Sequence, residues 1–348
     1  MTDMTASSRA KPGHLLNSGF DSIFVFVLPI FALLSALLVI RAPNLFPLVL
    51  AMDLWLFGYH HVIATYTRLC FDRESFRQHR FALFYLPPMV LAATFAVGLG
   101  FGIWTIVTVY LYWQWFHYAR QSWGIAQIYR RKAGQTIAEP LWFSQGVFWL
   151  VPVWGILQRS AEQPSKFIGV EVWTFPVPMF FAHVVGALAC IGVAAWVLLR
   201  VRMWLRGELP LMHTAYMVTH FVIFAAAYVL IEDITFGWLA INIWHNLQYL
   251  LFVWLFNNQK FRGGIDAKAP LLSRLSQTRN IAAYFMLTLV ITVIAYAGVH
   301  YLMVDVMAVA VPVILFYQTV NFHHYIVDAM IWKARKKPIQ KVLALSES

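Results

Sequence analysis

Residues 236–256 read FGWLAINIWHNLQYLLFVWLF. Twenty-one consecutive positions without Lys, Arg, Asp or Glu suffice for an α-helix that crosses the hydrocarbon layer of a bilayer, which takes about 20 apolar residues. Within that run Asn242, His245 and Gln248 recur at intervals of three, so they share one helical face. A helix that is apolar on most sides and polar along one stripe belongs among other membrane helices, with the stripe turned inward. Composition agrees with this reading. Of 348 residues, 61% are hydrophobic and 12% charged, against roughly 45–50% and about 25% in soluble globular proteins. That excludes a water-soluble globular chain and disorder over most of the length. The net charge of +11 does not point to nucleic acid, because a basic surplus in a membrane protein collects in its cytoplasmic loops.

Comparable stretches lie at roughly 22–41, 45–66, 81–99, 101–118, 141–158, 175–199, 211–231, 236–256, 281–303 and 306–330. The expected fold is therefore all-α, a polytopic transmembrane bundle of ten helices. The Gly-rich run from Val97 to Gly102 predicts a tight turn between the third and fourth, and Pro87-Pro88 a kink in the third. Lys and Arg alternate between rich and poor connections along the whole series, with 23 of the 26 on one side. By the positive-inside rule both termini are expected in the cytoplasm. A polar tail (1–20), one transmembrane domain (21–332) and a basic cytoplasmic tail (333–348) account for the chain, and the segment from Asn257 to Asn280 reads as a flexible loop. Cys70 and Cys190 lie in different apolar segments and form neither a CxxC motif nor a disulfide framework.

Ionisable residues in the hydrocarbon layer cost on the order of 2.5–3.5 kcal/mol each, so their placement is informative. Eight of the twelve histidines fall within these helices: His60 and His61, His117, His213 and His220, His245, and His323 and His324. Five helices thereby carry imidazole into the same, cytoplasmic half of the membrane. Of the acidic residues only Asp53 and Asp328 lie well inside, each on a helix with a His pair. Asp53 precedes His60 by seven positions and Asp328 follows His324 by four, spacings that return to one helical face.

Several imidazoles with one or two carboxylates suit a metal ion, and non-haem iron with open positions in particular. The candidate ligands are His60, His61, His117, His245, His323 and His324. Neighbours on a helix diverge by ~100°, so one of each adjacent pair is expected to stand behind the other. Within the set, His61, His117, His245 and His324 are the favoured ligands; Asp53, Asp328 and His220 are the candidate catalytic neighbours, with His220 also a candidate fifth ligand. The bland alternative is that each His only bonds a neighbouring helix. His213, near its helix end, is expected to snorkel; Arg120 could meet an anionic head group or a substrate carboxylate, and a positive-inside anchor is the favoured reading. The expected activity is a metal-dependent oxidoreductase acting on a lipophilic substrate, supplied by a cytoplasmic electron donor. A proton- or metal-coupled transporter and a b-type haem electron carrier are the alternatives.

The ordered motifs Phe57-Gly58-Tyr59-His60-His61, Trp115-Phe116-His117-Tyr118, Ile243-Trp244-His245-Asn246-Leu247-Gln248 and Phe322-His323-His324-Tyr325-Ile326-Val327-Asp328 resemble those of the Brp/Blh family. Those bacterial and archaeal membrane dioxygenases cleave β-carotene to retinal, with iron held by histidines of successive helices. The resemblance implies non-haem iron (Fe), a carotenoid or similar lipid substrate and a place in a bacterial inner membrane. The chain departs from the family pattern in carrying Thr65, not Asp, four positions after His61, and a single His245 with Gln248 in the third motif.

Overall fold

The computed structural model describes residues 13–134, 139–306, 313–333 and 337–343. Most of the two sequence-defined tails, 1–12 at one end and 334–336 and 344–348 at the other, therefore lies outside the described residues, as does the start of the tenth expected helix. The architecture is an all-α bundle. Its elements are α1 (Ser18–Arg41), α2 (Pro43–Cys70), α3 (Arg73–Gln78), α4 (Phe81–Phe101), α5 (Ile103–Ala133), α6 (Leu141–Glu162), α7 (Met179–Leu205), α8 (Leu211–Leu230), α9 (Ile234–Lys260), α10 (Pro270–Leu275), α11 (Thr278–Asp305), α12 (Val313–Ile331) and α13 (Lys337–Val342). A two-stranded antiparallel hairpin, Lys166–Phe167 with Val170–Glu171, joins α6 to α7.

Seven of these helices, α1, α2, α4, α7, α8, α9 and α11, are long and apolar enough to cross a membrane. Leu34, Ile191 and Ile294 are more than half exposed on them, as residues facing lipid would be. The chain is an integral, multi-pass membrane protein. Helices also occupy the other three expected stretches. These are α5, α6 and α12, and α5 and α12 are the more polar because they carry Gln114, His117, Gln121, Gln318, His324 and Asp328 on their buried or partly buried faces.

α9 is the axis of the bundle. In its most apolar window 89% of residues are buried, against 22–56% in the other six, and it packs on α1, α2 and α8. Asp233 caps its start by accepting from the amides of Thr235 and Phe236 at 2.8 and 3.0 Å. Close approach there depends on Gly237, where a Cβ would collide with the carbonyl oxygen of Ala227. The expected tight turn falls at Gly102, whose φ of +97° suits only glycine. Pro87-Pro88 fall in the first turn of the regular α-helical part of α4, Leu86–Phe101. A wide π-turn, Phe81–Tyr85, precedes that part, with Leu86 between it and Pro87. The segment expected to be a flexible loop carries α10, and Asn258 and Gln277 bond it to neighbouring carbonyls at 2.8–3.1 Å.

Candidate metal centre

α2, α5, α9 and α12 each bring one histidine to a common point. His61, His117, His245 and His324 are all buried. Ring centroids are 4.7 Å apart for His61 and His324, 5.0 Å for His117 and His245, 5.3 Å for His117 and His324, and 5.4 Å for His61 and His245. One donor atom from each of His61, His245 and His324 lies within 4.8 Å of the others, and the same holds for His117, His324 and Asp328. Asp328 Oδ2 stands 3.6 Å from His324 Nε2 and 3.9 Å from His117 Nε2.

These donors fit a metal ion on grounds of hydrogen bonding. Nδ1 and Nε2 of His61 and the Nε2 atoms of His117, His245 and His324 are buried without a hydrogen-bond partner. Each such atom costs about 1–3 kcal/mol, and a neutral imidazole carries one lone-pair nitrogen, so four such rings at one place call for a ligand that takes one nitrogen lone pair from each. The two triads share His324, which makes it the common member of the donor set.

A chain of bonds selects the free nitrogen of His324. Tyr249 donates its hydroxyl to Asp328 Oδ1 at 2.6 Å and receives from Trp332 Nε1 at 3.0 Å. Thr65 Oγ1 lies 2.8 Å from the Tyr249 oxygen and 2.9 Å from His324 Nδ1. The consistent proton order runs from His324 Nδ1–H to Thr65, from Thr65 to Tyr249 and from Tyr249 to Asp328. His324 Nε2 is thereby left as an acceptor facing the other rings, the arrangement by which outer groups orient metal-bound histidines. Tyr325 stacks on His117 at 4.3 Å and Tyr118 lies against His245 at 4.2 Å, which holds those two rings in place.

The other sequence candidates are placed elsewhere, with their polar atoms engaged. His60 meets Leu56 O at 3.1 Å and Thr288 Oγ1 at 2.6 Å. His323 meets Tyr66 at 2.7 Å and the carbonyl of Ala82 at 2.7 Å. His220 is held by Ser122 at 3.0 Å and the carbonyl of Phe148 at 3.1 Å. His213 does not snorkel: it is buried beside Arg200. Asp53 accepts from Asn242 at 2.5 Å and Asn246 at 3.3 Å, and Asn242 in turn accepts from Tyr118 at 2.5 Å.

The choice between His60 and His61 has a backbone cause. Asp53–Gly58 forms a π-turn, which inserts one residue into the helical register and rotates the remainder of α2 by about one position. Asp53 and His61, eight apart, consequently both face α9, through Asn242 and His245, while His60 turns to α11. The seven-residue match of Asp53 with His60 assumes an uninterrupted α-helix. Thr65 and Tyr249 were not among the sequence candidates. Tyr249 was within reach of sequence reasoning, because it stands four positions after His245 on the same face of α9.

A partly open cavity with about 60 Å³ of water-accessible space lies beside the cluster, several times the ~10–15 Å³ that a single water needs. His117 and Asp328 line one part of it, and Ile125, Ile128, Phe252 and Trp332 supply apolar walls. Compared with models of protein families, with characterised proteins and with solved structures, the chain matches none.

Proposed function

We propose that the protein is a metal-dependent membrane oxidoreductase, with non-haem iron held by His61, His117, His245 and His324 and with Asp328 beside it, acting on a lipophilic substrate. The observation that carries the reading is the convergence of four buried imidazoles from four helices, each with a nitrogen that has no hydrogen-bond partner. Nitrogen donors with a carboxylate and open positions suit ferrous iron, which supplies oxygen activation when bound. The chain's own contribution is to fix the donors through Thr65, Tyr249, Tyr118 and Tyr325, to exclude water by burial, and to present the apolar cavity to the substrate. The motif order shared with the Brp/Blh family supports the same chemistry. Ten membrane crossings with both termini in the cytoplasm, as the Lys/Arg alternation suggests, would put the cavity mouth on the inner side, where a soluble electron donor can approach. A b-type haem is a poorer reading, because four rings this close leave no space for a porphyrin between any two.

Elemental analysis of detergent-purified protein tests the proposal. The expected result is about one iron per chain, lost in His117→Ala and His245→Ala variants that retain the helical content of the parent. A well-folded parent that binds no metal, even after incubation with ferrous iron under anaerobic conditions, overturns it.

A further inference from the structure

The cavity beside the histidines has a polar fitting that neither the metal ligands nor the apolar walls use. Gln121, one turn after His117 on α5, lines it with both Nε2 and Oε1 buried and without a hydrogen-bond partner. Arg120 lines the same cavity, is exposed at its rim, and forms no ion pair among the described residues. It stands three positions after His117, and both line the cavity together with Asp328. Asp328 is not a free counter-charge for it, since Oδ1 accepts from Tyr249 and Oδ2 faces His117 and His324. Beyond this pair, Ile125 and Ile128 continue along α5 with Phe252 and Ile339 opposite, an apolar lining. From His117 to Ile128 the helix rises ~16 Å.

A guanidinium and an amide N–H at one end of an apolar cavity suit a carboxylate on a hydrocarbon chain, because charge-assisted hydrogen bonds to an anion are the strong ones. We infer that the occupant is a single-chain lipid acid, its carboxylate on Arg120 and Gln121 and its chain along Ile125 and Ile128. The carboxylate end of the acid, not the far end of its chain, then lies nearest His117 and Asp328. That last step rests on the proposed metal-dependent function; the binding of the acid does not.

Photolabelling tests the assignment on the full chain in zwitterionic phosphatidylcholine vesicles. The probes are a diazirine-bearing long-chain fatty acid and the alcohol of the same chain, with labelled residues mapped by mass spectrometry and metal content measured on the same samples. The acid is expected to label residues 121–128 and to be displaced by unlabelled oleate, with the alcohol binding about tenfold more weakly. Arg120→Gln, an exposed position, lowers apparent affinity for the acid about tenfold without affecting the alcohol, and Gln121→Leu weakens the acid as well. Equal labelling by acid and alcohol, or labelling of this segment indifferent to both substitutions, overturns the inference. Normal iron content with no preference for the acid sinks the inference alone, and selective labelling of a protein that binds no iron sinks the metal centre alone.

Discussion

Thr65→Val removes one hydroxyl and little else. Valine keeps the branched shape, so packing between α2, α9 and α12 is retained, but His324 Nδ1 and Tyr249 each lose a bond, of 2.9 and 2.8 Å. Tyr249 keeps Asp328 and Trp332, whereas His324 Nδ1 has no other partner. An orphaned buried donor costs ~1–3 kcal/mol, and the ring is freed to rotate or to take the other tautomer, either of which withdraws Nε2 from the centre. Loss of such an orienting group typically weakens metal affinity about 10- to 100-fold, or about 1.4–2.7 kcal/mol. Anaerobic competition for ferrous iron against a chelator of known affinity measures this directly. Thr65→Ser, which keeps the hydroxyl, is expected to restore most of the affinity. An iron affinity in Thr65→Val within about threefold of the parent, a difference under 1 kcal/mol, would refute the orienting role of this bond chain.

The same geometry sets three further outcomes. His323→Gln and His60→Gln, each altering a ring whose two nitrogens already bond the protein, should leave iron content unchanged while lowering thermal stability by about 1–3 kcal/mol; loss of iron in either would place that residue in the centre after all. Gly237→Ala drives a Cβ into the carbonyl oxygen of Ala227, and should destabilise by ~1–3 kcal/mol or more, read as a fall in the unfolding midpoint in detergent; an unchanged midpoint would mean that α8 and α9 are not held so close. Arg159 is buried and donates to the backbone carbonyls of Ile231 and Glu232 in the α8–α9 connection, so Arg159→Met should cost ~1–3 kcal/mol for each carbonyl left unpaired, whereas an unaffected midpoint would show that water replaces it.

The helical segments were legible because hydrophobic periodicity and length are local properties. Less legible was where a polar helix ends. The chain after His117 turns basic and amide-rich, with Arg120, Gln121 and Gln127, and reads as an exit from the membrane near residue 118, yet α5 runs on to Ala133. The four converging histidines were readable from their shared depth. Which member of each adjacent pair turns inward was not, because the π-turn at Asp53–Gly58 shifts the helical register and leaves no mark in the residue types. Thr65 escaped for a related reason: hydroxyls are common in membrane helices, and only the third dimension joins it to His324 and Tyr249.

Two aspartates inside the bundle looked equivalent in sequence, each one or two turns from a histidine pair, but their free oxygens separate them. Both oxygens of Asp53 accept from amides of α9, so this carboxylate braces α2 against α9 and has little left to offer a ligand. Asp328 has one oxygen fixed by Tyr249 while the other faces two imidazoles. The histidines divide in the same way: His60, His220 and His323 have both ring nitrogens committed to the protein, while His61, His117, His245 and His324 retain uncommitted nitrogens and bring donor atoms together in two triads that share His324. In a medium with no water to complete a coordination or hydrogen-bond shell, an intramembrane polar group is either consumed by the fold or kept for a ligand. The groups kept here, from α2, α5, α9 and α12, all adjoin one cavity or one another, which is why the centre and the cavity are read as a single site.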